Sequence, residues 1–421
     1  MTSEIKQKIE QIRNGEVPKG YKRTRAGIMP CDWCTQKEYK AKDIFYSVSN
    51  KNHNGDYEVL SATQDRGVIP RSQVDIDIKY DDANTSGYKM VDKGDFVISL
   101  RSFQGGIEYS EYTGLVSPAY TVLKPKVSIC DEYYKSYFKT NDFISRLNKG
   151  TYGIRDGKQV GFKDFGEMTI HFPPLPEQQR IAKILSAQDK VIECYEKKIE
   201  QLKRMKKYYL QNMFPKHGET VPKIRFKEFT DTWISKRFSE FSWISGKRNK
   251  DNLDLEPYAI TNEHGFIPQS EAHDEFGYME KTDRKAYIIV SSNSFAYNPA
   301  RINVGSIGYY KGSNNVIVSS LYEVFKTADS ICDSFLWYWF QTAEFSNWIQ
   351  RLQEGSVRQY FYYDKMCEVK LYIPSLQEQK KIAEAFIVLD SIITNHQRKL
   401  EEEKKKKKAL QQLLLTGIVR A

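Results

Sequence analysis

The sequence has few cysteines, no long apolar run and no cluster of metal-ligand residues, and each absence removes a class of protein. Six cysteines at positions 31, 34, 130, 194, 332 and 367 are too few and too scattered in 421 residues to suggest a disulfide framework. Cys31-x-x-Cys34 stands alone, without a second Cys or His pair at zinc spacing, so it reads as ordinary thiols, and the six histidines form no ligand pattern. No window approaches the ~18 uninterrupted apolar residues of a membrane span. Met1–Gly20 is charged throughout without an apolar signal core, so the expected location is cytoplasmic. Gly153-x-x-x-Gly157-Lys158 falls one residue short of a phosphate-loop spacing, and Gln159 stands where Ser or Thr would hold magnesium.

The net charge of +10 is unevenly placed: +3 for residues 1–24, 0 for 25–172, +4 for 173–214, −1 for 215–373 and +4 for 374–421. The positive excess thus lies outside the two long neutral stretches, which would bind nucleic acid only through local basic patches. With 40% hydrophobic and 13% aromatic residues, those stretches can bury real cores.

What the chain does have is a repeat. Leu175-Pro-Glu-Gln-Gln-Arg-Ile-Ala is written again as Leu376-Gln-Glu-Gln-Lys-Lys-Ile-Ala. Aligning Pro173 with Pro374 also matches Glu177 with Glu378, Gln178 with Gln379, Ile181 with Ile382, Ala182 with Ala383 and Asp189 with Asp390. The period is far longer than that of a solenoid, so the repeat unit is a globular domain followed by a helix.

From Pro176 a helix can run unbroken to Phe214, where Pro215 stops it; a second runs from Ser375 to Thr416, before Gly417. Apolar residues recur at 4-3 spacing through Ile181, Leu185, Ile192, Ile199 and Leu202, and through Ile382, Phe386, Leu389, Ile393, Leu400, Leu410 and Leu414. Gln188 and Lys206 interrupt the first seam, and His396, Glu403 and Lys407 the second. Packed antiparallel, polar positions of one helix can meet those of the other, and helices of about 40 residues would extend ~60 Å. Glu401–Glu403 followed by Lys404–Lys408 reads as a solvated helix face, because each Glu has a Lys four residues later.

Residues 25–172 and 216–373 share an order of features: a Trp-containing opening (Trp33, Trp233), short strands, a Gly-x-Ile-Pro turn (Gly67–Pro70, Gly265–Pro268), more strands, a helical stretch and a basic loop. The aromatic run Trp337, Trp339, Phe340, Phe345 and Trp348 reads as core. Corresponding loops carry the candidate DNA contacts. Arg155, Lys158 and Lys163 lie in one late loop, and Arg358, Gln359 and Tyr360 in its counterpart. Arg101 and Arg301 follow equivalent strands, and Gln64 with Arg66, and Asn262 with His264, flank the Gly-x-Ile-Pro segments. Arg, Asn and Gln can pair with base edges, and Arg or Lys can hold phosphates.

The opening PKGYKRTRAGIMPCDW, the LPEQQRIAKIL segment with its long helix, the second domain and the second such helix resemble the specificity subunit of type I restriction-modification systems. The resemblance covers essentially the whole chain, with Gln377 replacing the usual Pro in the second helix start. It implies a mixed α/β (α+β) fold of two similar target recognition domains, 25–172 and 216–373, separated by two long antiparallel coiled-coil helices, 173–215 and 374–421, in a pseudo-two-fold repeat. Residues 1–24 would add an N-terminal helical segment. The family implies a non-catalytic reader of double-stranded DNA with a bipartite site, docking two modification subunits that use S-adenosylmethionine, with restriction subunits that use ATP and magnesium; no cofactor or metal is expected in this chain. The chain lacks an Asn/Asp-Pro-Pro-Tyr/Phe motif, Asn298-Pro299-Ala300 being the nearest. An enzyme in its own right and a protein-binding coiled-coil scaffold are the alternatives.

Overall fold

The structure is a computed structural model describing residues 3–34, 37–74, 85–149, 160–262, 265–272, 284–355 and 359–421. Among these residues, no helix is long and apolar enough to cross a membrane. The chain divides into two compact units, 1–195 with 399–421, and 196–398, so the division falls inside both long helices.

The same four-stranded antiparallel sheet lies in each unit. In the first the order is Phe45–Val48, Thr121–Pro125, Phe96–Ile98, Glu108–Tyr109; in the second it is Ser242–Ile244, Glu323–Thr327, Ser294–Tyr297, Ile307–Tyr310. Register agrees as well: Phe96 faces Tyr109 in one, and Phe295 faces Tyr309 in the other. The stretches 285–297 and 314–326 each hold two short strands, divided at Ser291–Asn293 and Ser319–Tyr322. Asn293, at φ +56°, turns the chain there.

Gly-x-Ile-Pro, expected as a turn, is instead the return strand of a hairpin: Leu60–Thr63 with Gly67–Pro70, and Tyr258–Thr261 with Gly265–Pro268. The turn lies just before it. Gly67 and Gly265 adopt φ +75° and +63°, and from there the β-branched Ile and extended Pro continue as strand.

Two short helices follow each sheet, Asp131–Tyr137 and Asn141–Lys149 in one unit, Asp333–Trp339 and Ala343–Leu352 in the other. They cover the sheet with aromatics. Phe96 meets Phe138 edge-on at 5.4 Å, and Phe295 meets Phe340 edge-on at 5.5 Å, so one aromatic contact is built twice. Trp339, Phe340 and Phe345 are buried, whereas Trp337 and Trp348 are half-buried against the same core.

The long helices span Leu175–Asn212 and Leu376–Leu415. Neither contains glycine, and Pro176 sits in the first turn, where its missing N–H is harmless. Gly417 ends the second: its φ is +72°, and a Cβ there would fall 2.6 Å from Pro30 Cδ and 2.9 Å from Trp33 Cη2. Both the left-handed backbone and the close approach require glycine.

In the first unit Ile181, Leu185 and Leu414 are part of the globular core, with half-buried Leu410 against it. In the second, Ile382 and Phe386 do the same, while Leu202, Leu389 and Ile393 form a separate helix-to-helix cluster with Tyr209. Ile199 and Leu400 are buried and Ile192 is half-buried. Within each unit the two helices run antiparallel. Asp189 pairs with Lys407 in the first unit and Lys206 with Asp390, 2.7 Å apart, in the second, the same ion pair moved by one repeat. Where the second unit joins Leu202 and Leu389, the first joins Glu403 and Gln188, whose amide donates to the carboxylate at 2.5 Å. Two polar interruptions of the seam therefore satisfy each other. In the lysine run Glu401 pairs with Lys404 and Glu403 with Lys406, three residues apart, while Lys407 reaches across to Asp189.

Candidate nucleic-acid interface

The repeated Glu-Gln at each helix start is a buried joint. Gln178 and Gln379 accept hydrogen bonds from the backbone N–H of Cys130 and Cys332, at 2.9 and 2.8 Å, and donate to the carbonyls of Pro173 and Pro374. Each thereby ties the first short helix of its unit to the start of a long helix. Glu177 receives Arg420 on both oxygens at 2.6 Å and the Trp33 indole N–H at 2.9 Å. Glu378 receives Arg225 on both oxygens, at 2.7 and 2.8 Å. Each arginine comes from the segment after one long helix and clamps the start of the other. Charge-assisted bidentate bonds of this kind hold geometry as well as energy. The carboxylate hydrogen bonds, foremost, raise both arginines above the ordinary guanidinium range. The Trp233 indole N–H, buried, has no such partner among the described residues.

In the first unit Thr63 Oγ1 accepts from Arg66 N at 3.1 Å and donates to the Gly67 carbonyl at 2.8 Å, closing a tip on which Gln64 and Arg66 are exposed. A Cβ on Gly67 would lie 2.7 Å from the Tyr109 carbonyl oxygen, so the tip also depends on glycine for space. Arg66 has Asp65 at 3.9 Å. Arg101, exposed, precedes the short helix Ser102–Gly105, and Gly105 lies against the Gln64 side chain. The Gln64 tip and the Arg101 loop are therefore neighbours. Lys163, expected in the late loop, is instead exposed on the helix Phe162–Glu167 that begins after Gly161, with no hydrogen bond or ion pair to a described residue that joins it to them.

In the second unit the exposed Asn262 lies beside Gly305, and Ser306 Oγ donates to the Ile260 carbonyl at 3.2 Å, so hairpin and Arg301 loop again meet. Arg301 is exposed, and its charge reaches Tyr322, whose hydroxyl is raised chiefly by burial. The late loop joins them: Phe361 N donates to the Pro299 carbonyl at 3.0 Å. Gln359 is exposed on that loop, and Tyr360 stacks on the exposed Tyr362 at 5.5 Å, 4° from parallel. Arg155, Lys158, His264 and Arg358 lie outside the described residues.

One group beneath the first tip was not singled out from sequence. Lys139 Nζ donates to the carbonyls of Gln64 and Gly105, at 3.2 and 2.9 Å, and to Glu108 Oε1 at 2.5 Å. Glu108 is buried, and its other oxygen has no partner among the described residues. Burial pushes its carboxyl up to about 7, Lys139 opposing and Asp65 adding to the rise. An acidic residue between Ile107 and Tyr109, at the start of a two-residue strand, was the available signal.

The two units share one topology, and each carries exposed Arg, Gln or Asn on adjoining loops. The chain belongs to the family of the type I restriction modification DNA specificity domain, which matches residues 36–204 and again 236–404. It is 28% identical over 360 residues, 79% of this chain and 80% of the relative, to the type I restriction enzyme MjaVIII specificity subunit of Methanocaldococcus jannaschii. Its fold is similar to a chain from a structure of the assembly and conformational transition of the type I R-M system, with TM-score 0.55 and 12% identity over 96% of this chain and 100% of that one. The HsdS subunit of Thermoanaerobacter tengcongensis gives TM-score 0.51 and 15% identity over 96% and 98%. The protein is thus the DNA-recognition subunit of a type I restriction-modification complex, not its catalyst; membership implies a DNA site and modification and restriction subunits as partners.

Proposed function

We propose that the chain reads a bipartite site, one half per unit, with 25–172 and 216–373 as the target recognition domains. The helical stretches 173–215 and 374–421 set the unread gap and, with the domains, dock two modification subunits that methylate adenine from S-adenosylmethionine; restriction subunits powered by ATP, with magnesium, join that core. The N-terminal segment 1–24 adds a helix. The observation carrying this reading is that one topology is built twice, with the hairpin lying beside the Arg101 loop in one unit and beside the Arg301 loop in the other, while the hairpin side chains differ. Gln64, Arg66, Arg101, Lys163 and, by position in sequence, Arg155 and Lys158 serve one half. Asn262, Arg301, Gln359 and Tyr360, with His264 and Arg358, serve the other. A shared scaffold with divergent loops is what two different base sequences require.

The test is to sequence modified adenines in the host genome with and without this chain. The expected result is a motif of two short blocks separated by a fixed gap, present only with the chain. A single uninterrupted block, or no change, contradicts the proposal.

A further inference from the structure

The two units seat their reading hairpins by different chemistry. In the second unit a Cβ on Gly308 would fall 2.7 Å from the ring of Phe266, so an aromatic on the hairpin lies flush against a bare strand. Register places Glu108 of the first unit where Gly308 stands, since Val97 faces Glu108 and Ala296 faces Gly308. The hairpin residue opposite shrinks from Phe266 to Val68. Likewise Lys139, directly after Phe138, takes the place of Gln341 after Phe340, and Gln341 donates instead to the Trp337 carbonyl at 3.2 Å. A ring on glycine in one unit is replaced by a carboxylate and an ammonium in the other.

The ammonium does more than neutralise Glu108. Its donors reach three segments: the Gln64 tip, the Arg101 loop through Gly105, and the strand that bears Glu108. Gly106 fixes the same loop from beneath, with φ +81° and a position where a Cβ would sit 2.0 Å from the Phe138 carbonyl oxygen. We propose that Lys139, held by Glu108, is a positioning residue that sets the Gln64 and Arg101 loops relative to each other and so determines specificity for the half-site read by the first unit alone. This rests on the two-half reading above.

The charged groups facing Glu108 are Lys139, from the turn after its helix, and Asp65, from the hairpin tip. As pH falls through about 7 the carboxylate takes up a proton and releases its hold on the ammonium. Discrimination at the first half then falls. Folding stability moves the other way, because burying a neutral carboxyl costs less than burying a charged one. A merely structural role would make both move together.

The experiment uses the full chain assembled with its modification subunits and duplexes carrying the methylated motif, with either half randomised. Wild type comes first: failure to prefer the two-part duplex defeats the functional reading itself. Given that preference, Lys139→Met should lose about tenfold discrimination at one half and none at the other. Glu108→Gln should give at every pH the discrimination that wild type shows below pH 7. Equal loss at both halves, or unchanged discrimination in Glu108→Gln, overturns the proposal. If Lys139→Met fails to fold by circular dichroism, Glu108→Gln decides.

Discussion

Arg225→Ala removes, among the described residues, the one side chain that neutralises Glu378. That carboxylate is 1% exposed, and the guanidinium itself only 16%. Leaving such a charge buried and unpaired costs about 3–5 kcal/mol. With a urea slope of about 2 kcal/mol/M, the midpoint of the second unit should drop by about 1.5–2.5 M, followed by circular dichroism on the full chain. Lys381→Ala supplies the control, since Lys381 and Glu228 are 46% and 49% exposed and such pairs are worth about 0–1 kcal/mol. Replacing both partners, Arg225→Met with Glu378→Met, should recover most of the loss, because an apolar pair needs no compensation. If Arg225→Ala shifts the midpoint no more than Lys381→Ala, or the double variant recovers nothing, the buried clamp is not what holds that joint.

Arg420→Ala should cost less, about 2–3 kcal/mol in the same assay on the first unit, because its side chain is 40% exposed and Glu177 keeps the Trp33 N–H. Leu202→Ala, in the helix-to-helix cluster, should cost about 2–4 kcal/mol, read in the transition of the second unit. Stability of the first unit should rise as pH falls through about 7, where folded Glu108 takes its proton, toward the ordinary 4.5 of the unfolded chain; the span corresponds to about 3 kcal/mol at most, and Glu108→Gln should flatten it in urea titrations. Gly106→Ala should prevent the first unit from folding, whereas Gly105→Ala should fold and displace the Gln64 side chain, read as altered binding to one half-site.

The duplication was legible because Leu-x-Glu-Gln and the Ile-Ala after it survive in both copies, and the long helices because nothing between Pro176 and Pro215 can break one. What the Glu and Gln do was not legible. Their partners lie far off in the chain: Arg420 is 243 residues from Glu177, and Arg225 153 from Glu378. Two of the Gln bonds come from backbone N–H groups, which no side-chain pattern announces. Gly-x-Ile-Pro misled for a local reason, since its glycine ends the turn and the residues after it favour strand. The repeat itself also extends further than its helices. Gly15-Glu-Val-Pro-Lys and Gly218-Glu-Thr-Val-Pro-Lys stand alike ahead of Trp33 and Trp233, and Tyr21, just after the first, bonds the Gly417 carbonyl at 2.8 Å.

The most direct test of one reader per half-site compares the methylation motif of wild type with that of Arg301→Ala and Gln359→Ala together. Both residues are exposed and lie in the second unit. One block of the motif should relax while the other block and the gap between them stay as they were. A variant in which both blocks relax, or in which the gap changes length, would contradict one reader per half-site.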